Sequence, residues 1–347
     1  MAQDNRIPAQ EPVGQDERGE MDSIALGRHI KEAALSGDFD RAERLREQLI
    51  EQDSMNLTLI LSSGEFIEQQ KTKRLDQDHL AVWSHLYENF SEEETNRLFY
   101  SLEPAVIEPN KLLLAQGKVN HRLIFIDSGK VALFYRKEGK NKVVLQLSRG
   151  EVIGEDSFFE ISLCPLSAAT QTEVKLFSLR RAEAKKWHDV LPGLYEKLGD
   201  FCRKHGKGSH GVNQKLQDRR SSPRYPASGV VTATLLDQQG SLGSDYFKGG
   251  LSEISRSGLS FEIKCSSYET ARALLARQVE ISIMFAGSDQ AAWVGRATIA
   301  SVGYHLHNDY SVHLKLDEKI DKELFQTFPC NFEAVDDTAQ DSEEQQG

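Results

Sequence analysis

Strict alternation of apolar and polar residues in three short segments near the carboxyl end is the feature that most constrains the fold. The segments are Leu259-Ser-Phe-Glu-Ile263, Val279-Glu-Ile-Ser-Ile283 and Val312-His-Leu-Lys-Leu316. A period of two places every second side chain on the same face of a strand, so the pattern predicts antiparallel strands that are buried on one side. Several such strands within about 100 residues indicate a small closed barrel.

Two short motifs accompany these strands and suit a ligand that carries guanine and phosphate. Arg220-Ser-Ser-Pro-Arg224 places two arginines four residues apart, and Glu253-Ile-Ser-Arg-Ser-Gly258 begins 29 residues after the second of them. An arginine fork can donate to the O6 and N7 edge of guanine, attract phosphate and stack on a purine. The alternatives are a solvated basic segment and an ordinary turn in which Gly258 takes a positive φ.

Together the motifs resemble the RxxxR and (D/N)xSxxG signature of PilZ domains, over roughly residues 217–325. The resemblance implies a small β-barrel that binds the bacterial second messenger cyclic di-GMP; an unrelated small β domain is the alternative. Glu253 stands where the family has Asp or Asn, and its additional methylene would re-aim a contact to guanine. Arg219 is either a third ligand arginine or a surface charge. The residues implied as ligand contacts are Arg219, Arg220, Arg224, Glu253, Ser255 and Gly258.

Short β-rich runs bounded by glycines predict a second β domain, a double-sheet jelly roll, upstream of the barrel. The runs are Leu123-Ile-Phe-Ile126, Val131-Ala-Leu-Phe-Tyr135 and Lys142-Val-Val-Leu-Gln-Leu147, with glycines at 117, 129, 150 and 154.

This region resembles a cyclic-nucleotide-binding domain of the catabolite-activator type. The resemblance implies that Gly154 and Glu155 would hold the ribose hydroxyl and that an arginine would bind the cyclic phosphate, but Leu166 stands at the arginine position. Leucine cannot neutralise a phosphate, so neither cAMP nor cGMP is the expected ligand. The site is therefore expected to be degenerate and the domain structural.

A helix is expected near Ala182–Arg203, where Trp187, Leu191, Leu194 and Leu198 recur. In the same family this helix often mediates dimerisation, which implies a homodimer through residues 182–203. No helix-turn-helix of the DNA-binding kind is recognisable after it.

The amino-terminal region reads as helical. An apolar stripe that includes Ile30 is followed by a break at Ser-Gly-Asp 36–38, after which Asp38 can cap a second helix. The string AALSGDFDRAERLREQL resembles the UVR-type hairpin, a protein-docking module, and an ordinary helical hairpin rich in Ala, Leu and Arg is the alternative.

Composition limits the function classes. The chain has 347 residues and a formal net charge of −11, which argues against a general nucleic-acid binder. No apolar run has the length of a membrane span. The cysteines are too dispersed for a zinc site, so we expect Cys164, Cys202, Cys265 and Cys330 to be reduced thiols of a cytoplasmic protein.

Residues 203–224 hold seven Lys or Arg and one acid, and their glycines predict a flexible basic linker.

These observations predict a mainly β multidomain chain of the α+β class, with an amino-terminal helical region, a jelly roll and a PilZ-like small β-barrel. The predicted function is a non-enzymatic cyclic di-GMP receptor that changes its interdomain or partner-protein contacts on binding and needs no cofactor or metal. The alternatives are a scaffold with degenerate ligand sites and a cAMP or cGMP sensor. The predicted boundaries are 1–22 disordered, 23–52 helical hairpin, 53–100 helical connector, 101–202 jelly roll with its terminal helix, 203–218 linker, 219–328 barrel and 329–347 acidic disordered tail.

Overall fold

The computed structural model describes residues 22–330 apart from positions 138, 207–221 and 289. It divides into two compact units, one ending at Asp76 and one beginning at Gln77. Outside the described residues lie Arg219 and Arg220, residues 1–21 and 331–347 of the two predicted disordered ends, and most of the predicted linker.

The first unit contains three helices: α1 Ser23–Ser36, α2 Phe39–Gln52 and α3 Leu57–Thr72. Gly37 ends α1 with a φ of 86°, and the amide of Asp38 donates to the Ala33 carbonyl. The Asp38 side chain then accepts from the amide of Arg41, which confirms the predicted break and cap. Because α3 packs into the same core as α1 and α2, the helical stretch predicted over 53–100 divides between the two units.

The second unit begins with three short helices and a jelly roll. The helices are α4 Gln77–Val82, α5 Ser84–Tyr87 and α6 Glu92–Tyr100, and α6 starts at a capping box between Ser91 and Glu94. The jelly roll consists of two four-stranded sheets, ordered β1-β9-β3-β6 and β2-β8-β4-β5. Its strands are β1 Leu102–Ile107, β2 Leu112–Leu114, β3 Arg122–Ser128, β4 Val131–Lys137, β5 Lys140–Leu147, β6 Val152–Ile153, β8 Ser167–Thr170 and β9 Val174–Arg180.

Four helices complete this part: α7 Glu155–Phe159, α8 Arg181–Lys185, α9 Trp187–Val190 and α10 Leu194–His205. The single helix expected over 182–203 is therefore wrong. Pro192 lacks an amide hydrogen and Gly193 precedes α10, so the chain turns before the last helix. The buried face of α10, with Leu194, Leu198 and Cys202, packs against the jelly roll's own core.

The barrel has six strands in the order β13-β10-β11-β12-β15-β14, and pairing of β13 with β14 closes it. All three alternating segments of the sequence are strands of this barrel, and their apolar residues face its core. Two short helices, α11 Tyr268–Ala273 and α12 Lys322–Gln326, accompany it. The strands are β10 Tyr225–Leu236, β11 Leu242–Ser255, β12 Gly258–Lys264, β13 Gln278–Phe285, β14 Trp293–Tyr304 and β15 Asp309–Leu316.

A two-residue strand of the jelly-roll region, β7 Ile161–Ser162, joins the barrel sheet. Ile161 pairs with Val302 and Ser162 with Ser301, and the Leu163 amide donates to the Ala300 carbonyl at 2.9 Å. Ile161 is 2 % exposed because its side chain lies in the barrel's apolar core. The architecture is thus mixed α+β, with a jelly roll and a six-stranded barrel connected through β7.

Among the described residues, no helix is long and apolar enough to cross a bilayer. All four cysteines are free thiols.

Candidate functional site

The barrel brings together two of the residues singled out in the sequence. Arg224 lies directly before β10, and the antiparallel pairing of β10 with β11 sets Pro226 opposite Glu253. The Arg224 Nη1 atom therefore reaches Glu253 Oε2 at 3.4 Å, with the two side chains 42 % and 47 % exposed. Exposed ion pairs contribute only about 0–1 kcal/mol, so a ligand could replace this pair at little cost.

Ser255 and Gly258 form the turn between β11 and β12. The Ser255 hydroxyl donates to the Gly258 carbonyl at 2.9 Å and accepts from the Ser257 amide at 3.3 Å, and Ser255 is 3 % exposed. The alternative turn in which Gly258 takes a positive φ is not observed, since Gly258 is not among the residues with that conformation. Glycine is required there because a Cβ would lie 2.4 Å from the Leu314 carbonyl oxygen on β15.

A polar row crosses the outer face of the barrel from Glu253. In register, Glu253 pairs with Ser260, and Ser260 pairs with His313. Ser260 is buried although it faces outward, and its hydroxyl lies 3.0 Å from Ser252 Oγ. Burial lowers the pKa of His313; the charge of Arg224 acts in the same direction and that of Glu253 opposes it. His313 therefore lies within electrostatic reach of the Arg224–Glu253 pair.

Sequence motifs did not identify His313, because it lies on a strand far downstream of both arginines and belongs to no signature. The alternation of Val312-His-Leu-Lys-Leu316 could have shown that this residue faces outward. The register that places it two strands from Glu253, across Ser260, is not visible in the sequence.

The jelly roll gathers the three residues of the expected nucleotide site. Gly154, with a φ of 91°, precedes α7, and Glu155 and Leu166 are each 6 % exposed. Glu155 Oε1 is directed toward the end of α10, 3.0 Å from the position that a Cβ would take on Gly206. Burial, and next the carboxylate of Glu155, raise the pKa of the Cys202 thiol.

The cavity between these residues is small. Its volume is about 30 Å³, and its lining includes Leu114, Leu133, Gly154, Glu155 and Leu166. None of the described residues that line it carries a positive charge. Ligand pockets run from about 300 Å³ upward, so this cavity in its present shape would not hold a nucleotide.

Arg181 lies close to α7 and binds its backbone. Its Nε atom donates to the Phe158 carbonyl at 2.9 Å and its Nη2 atom to the Ser157 carbonyl. It thereby fixes α7 from the side of β9 and α8, and it is not among the residues that line the cavity. None of the described residues that line this cavity therefore supplies the positive charge that Leu166 lacks.

Comparison with known proteins gives a family for one part of the chain. Residues 105–188 match the family model of the cyclic nucleotide-binding domain. A CRP-like cAMP-activated global transcriptional regulator of Mycobacterium tuberculosis is 30 % identical over 98 residues, which are 28 % of this chain and 44 % of the regulator. The chain therefore spans less than half the length of this relative.

Solved structures are also similar to part of the chain. The amino-terminal domain of a transcriptional regulator from Streptomyces coelicolor is 23 % identical, with a TM-score of 0.31, over 39 % of this chain and 87 % of that one. The Thermus thermophilus catabolite activator protein is 21 % identical, with a TM-score of 0.33, over 39 % of this chain and 62 % of that one. The PilZ and UVR resemblances stay predictions from the sequence. Residues 105–188 form a domain of the cyclic nucleotide-binding class.

Proposed function

We propose that this protein is a cyclic di-GMP receptor and that the ligand binds on the outer face of the barrel beside Arg224. The observation that carries the proposal is the meeting of Arg224 and Glu253 next to the Ser255–Gly258 turn, because these groups come from two motifs 29 residues apart. The Arg224 guanidinium would donate to O6 and N7 of a guanine or to a phosphate. The Glu253 carboxylate would accept from the guanine amino group. Arg219 and Arg220 would add donors.

Ser255 and Gly258 would act mainly through the backbone in this site. The Ser255 hydroxyl already holds the turn, and Gly258 allows the neighbouring strand β15 to lie close beside it. Few side chains protrude at this turn, so a planar base could approach the strands. No catalytic step and no cofactor form part of the proposal.

A cyclic mononucleotide sensor is the second candidate, favoured by the family match over 105–188. The cavity of about 30 Å³ and Leu166 count against it, because a phosphate in a closed pocket needs a cation. We therefore assign the jelly roll a transmitting role rather than a ligand-binding one.

Transmission would run along the barrel sheet. The row of Glu253, Ser260 and His313 continues through Ser301 to Ser162 of β7. A ligand held at one end of this row would change contacts with the jelly roll, or with a partner protein or second copy, if it binds the two arrangements with different affinity.

The test is calorimetric titration of the full chain with cyclic di-GMP, and separately with cAMP and cGMP. We expect cyclic di-GMP alone to bind, and Arg224→Ala to weaken binding by about ten- to a hundredfold, the loss of one bidentate arginine contact. Arg277→Ala removes an exposed arginine elsewhere on the barrel and is the matched control.

Three results would contradict the proposal in different ways. Equal affinity of Arg224→Ala and the unchanged protein would remove the assigned site. Binding of cAMP or cGMP alone would transfer the function to the jelly roll. No binding of any of the three, by heat or by thermal shift, would leave the scaffold alternative.

A further inference from the structure

The outer face of β15 lies beside the candidate site and carries two groups that no motif includes. Val312, Leu314 and Leu316 are buried in the barrel core, so the residues between them, His313 and Lys315, face outward.

Register fixes where these two residues lie. His313 pairs with Ser260, which pairs with Glu253, and Lys315 pairs with Gly258, which pairs with Ser255. Directly paired residues share a face of the sheet, and two strand spacings amount to about 10 Å. His313 and Lys315 are thus on the same surface as Glu253 and Ser255, across strand β12 from them.

Few side chains protrude from the surface between the Arg224–Glu253 pair and the residues His313 and Lys315. Gly258 has no side chain, Ser255 is 3 % exposed and Ser260 is 4 % exposed. Arg224 and Glu253 border this strip on one side, and His313 and Lys315 border it on the other. A flat ligand that contacts the first pair would extend over the small residues toward the second.

The two sides of this strip differ in their net charge, and therefore in how well they can bind a phosphate. Arg224 is opposed by Glu253 at 3.4 Å, so together these two groups carry no net charge. Lys315 is exposed and makes no salt bridge within the described residues 222–330. A cyclic dinucleotide carries two phosphates, so a cation on the far side of the strip would neutralise one of them.

The imidazole of His313 supplies a different contact. It is half-buried, and its Nε2 atom lies 3.3 Å from Ser311 Oγ, which holds the ring in place. Burial, and next the charge of Arg224, lower its pKa, which favours the neutral form of the ring. A fixed, neutral aromatic ring beside a flat strip suits stacking against a nucleobase.

We infer that Lys315 and His313 form the second side of the cyclic di-GMP site, Lys315 as a phosphate contact and His313 as a ring that packs against a guanine. The inference rests on the proposed function of the barrel.

The test is titration of single variants of the full chain with cyclic di-GMP at two salt concentrations. We expect Lys315→Ala to weaken binding about tenfold and to make it less sensitive to salt, because one charge-assisted contact is lost. Lys264→Ala is the matched control, since Lys264 is an exposed lysine facing outward on the neighbouring strand, and it should change affinity less than about twofold. His313→Ala should also weaken binding about tenfold, the effect of one lost base–ring contact. His313→Phe, which keeps a ring, should restore most of it.

The results of these titrations distinguish a wrong assignment of Lys315 and His313 from a protein that does not bind cyclic di-GMP. If the unchanged protein binds and Arg224→Ala does not, but Lys315→Ala and His313→Ala bind like the unchanged protein, the second side is refuted and the receptor stands. If His313→Phe is as weak as His313→Ala, the stacking role is refuted. If the unchanged protein does not bind cyclic di-GMP, both proposals fall.

Discussion

Gly258 and Gly250 lie on adjacent strands of the same barrel, but only one of them has room for a side chain. A Cβ on Gly258 would lie 2.4 Å from the Leu314 carbonyl oxygen, whereas a Cβ on Gly250 would meet nothing within 4 Å. Neither residue has a positive φ. The pair therefore separates the effect of close strand approach from the effect of glycine's backbone freedom.

We expect Gly258→Ala to lower the free energy of unfolding by about 1–3 kcal/mol, because β12 and β15 must move apart. Gly250→Ala should not lower it, since alanine in an open strand position costs nothing in packing and reduces the entropy of the unfolded chain. Denaturant unfolding of both variants measures the difference. Equal stabilities would show that the turn tolerates a methyl group.

The signature residues could be chosen from the sequence because motif spacing is local, but their individual roles could not. The meeting of Arg224 with Glu253 depends on the register of β10 with β11, and the closeness of Gly258 to Leu314 depends on strand packing. The sequence could indicate that His313 and Lys315 face outward. It could not indicate which strands lie beside theirs.

At the scale of elements, the strands with strict alternation were predictable, whereas helix ends and the shortest strand were not. The three alternating runs are all strands of the barrel. They were predictable because the alternation of buried and exposed side chains is a property of each strand by itself and does not depend on which strand lies beside it. The stretch over 182–203 was predicted as one helix because its apolar spacing continues across Pro192, but the missing amide breaks it. The two-residue strand β7 has no periodicity, and only its neighbour β14 defines it.

Ile161 allows β7 to be tested. We expect Ile161→Ala to lower the free energy of unfolding by about 2–5 kcal/mol, because the side chain fills the barrel core, and to increase hydrogen exchange at the Leu163 amide. Val143→Ala on β5, 63 % exposed, is the control and should change stability by less than about 0.5 kcal/mol. An unchanged exchange rate at Leu163 would mean that β7 holds to β14 without its apolar contact.

At the scale of the molecule, the jelly roll and the barrel are bound together at more than one place. Besides β7, the Tyr268 hydroxyl on α11 donates to the Phe159 carbonyl at 3.5 Å, and Lys185 pairs with Glu269 at 2.6 Å. Burial, and next the charge of Glu269, raise the pKa of Tyr268. The interface between the jelly roll and the barrel also includes Ile161 of β7, whose side chain lies in the barrel core. Surface ion pairs alone would hold the two domains together only weakly.

We therefore expect the two β domains to unfold together. Hydrogen exchange measured at increasing denaturant should remove protection from β3 of the jelly roll and from β13 of the barrel at the same concentration. In Ile161→Ala the two transitions should separate. Separate transitions in the unchanged protein would contradict this prediction and show that the domains are only loosely joined.

The pairing of β7 with β14 also bears on how the chain can be cut. A fragment that begins at Ser222 would keep all six barrel strands but lose Ile161 and Ser162. The backbone of β14 near Ser301 would then present unpaired hydrogen-bonding groups beside an opening in the apolar core. Such an open edge invites pairing with other molecules. We therefore expect the jelly roll to protect the barrel from self-association, so that the barrel released alone aggregates where the intact chain does not.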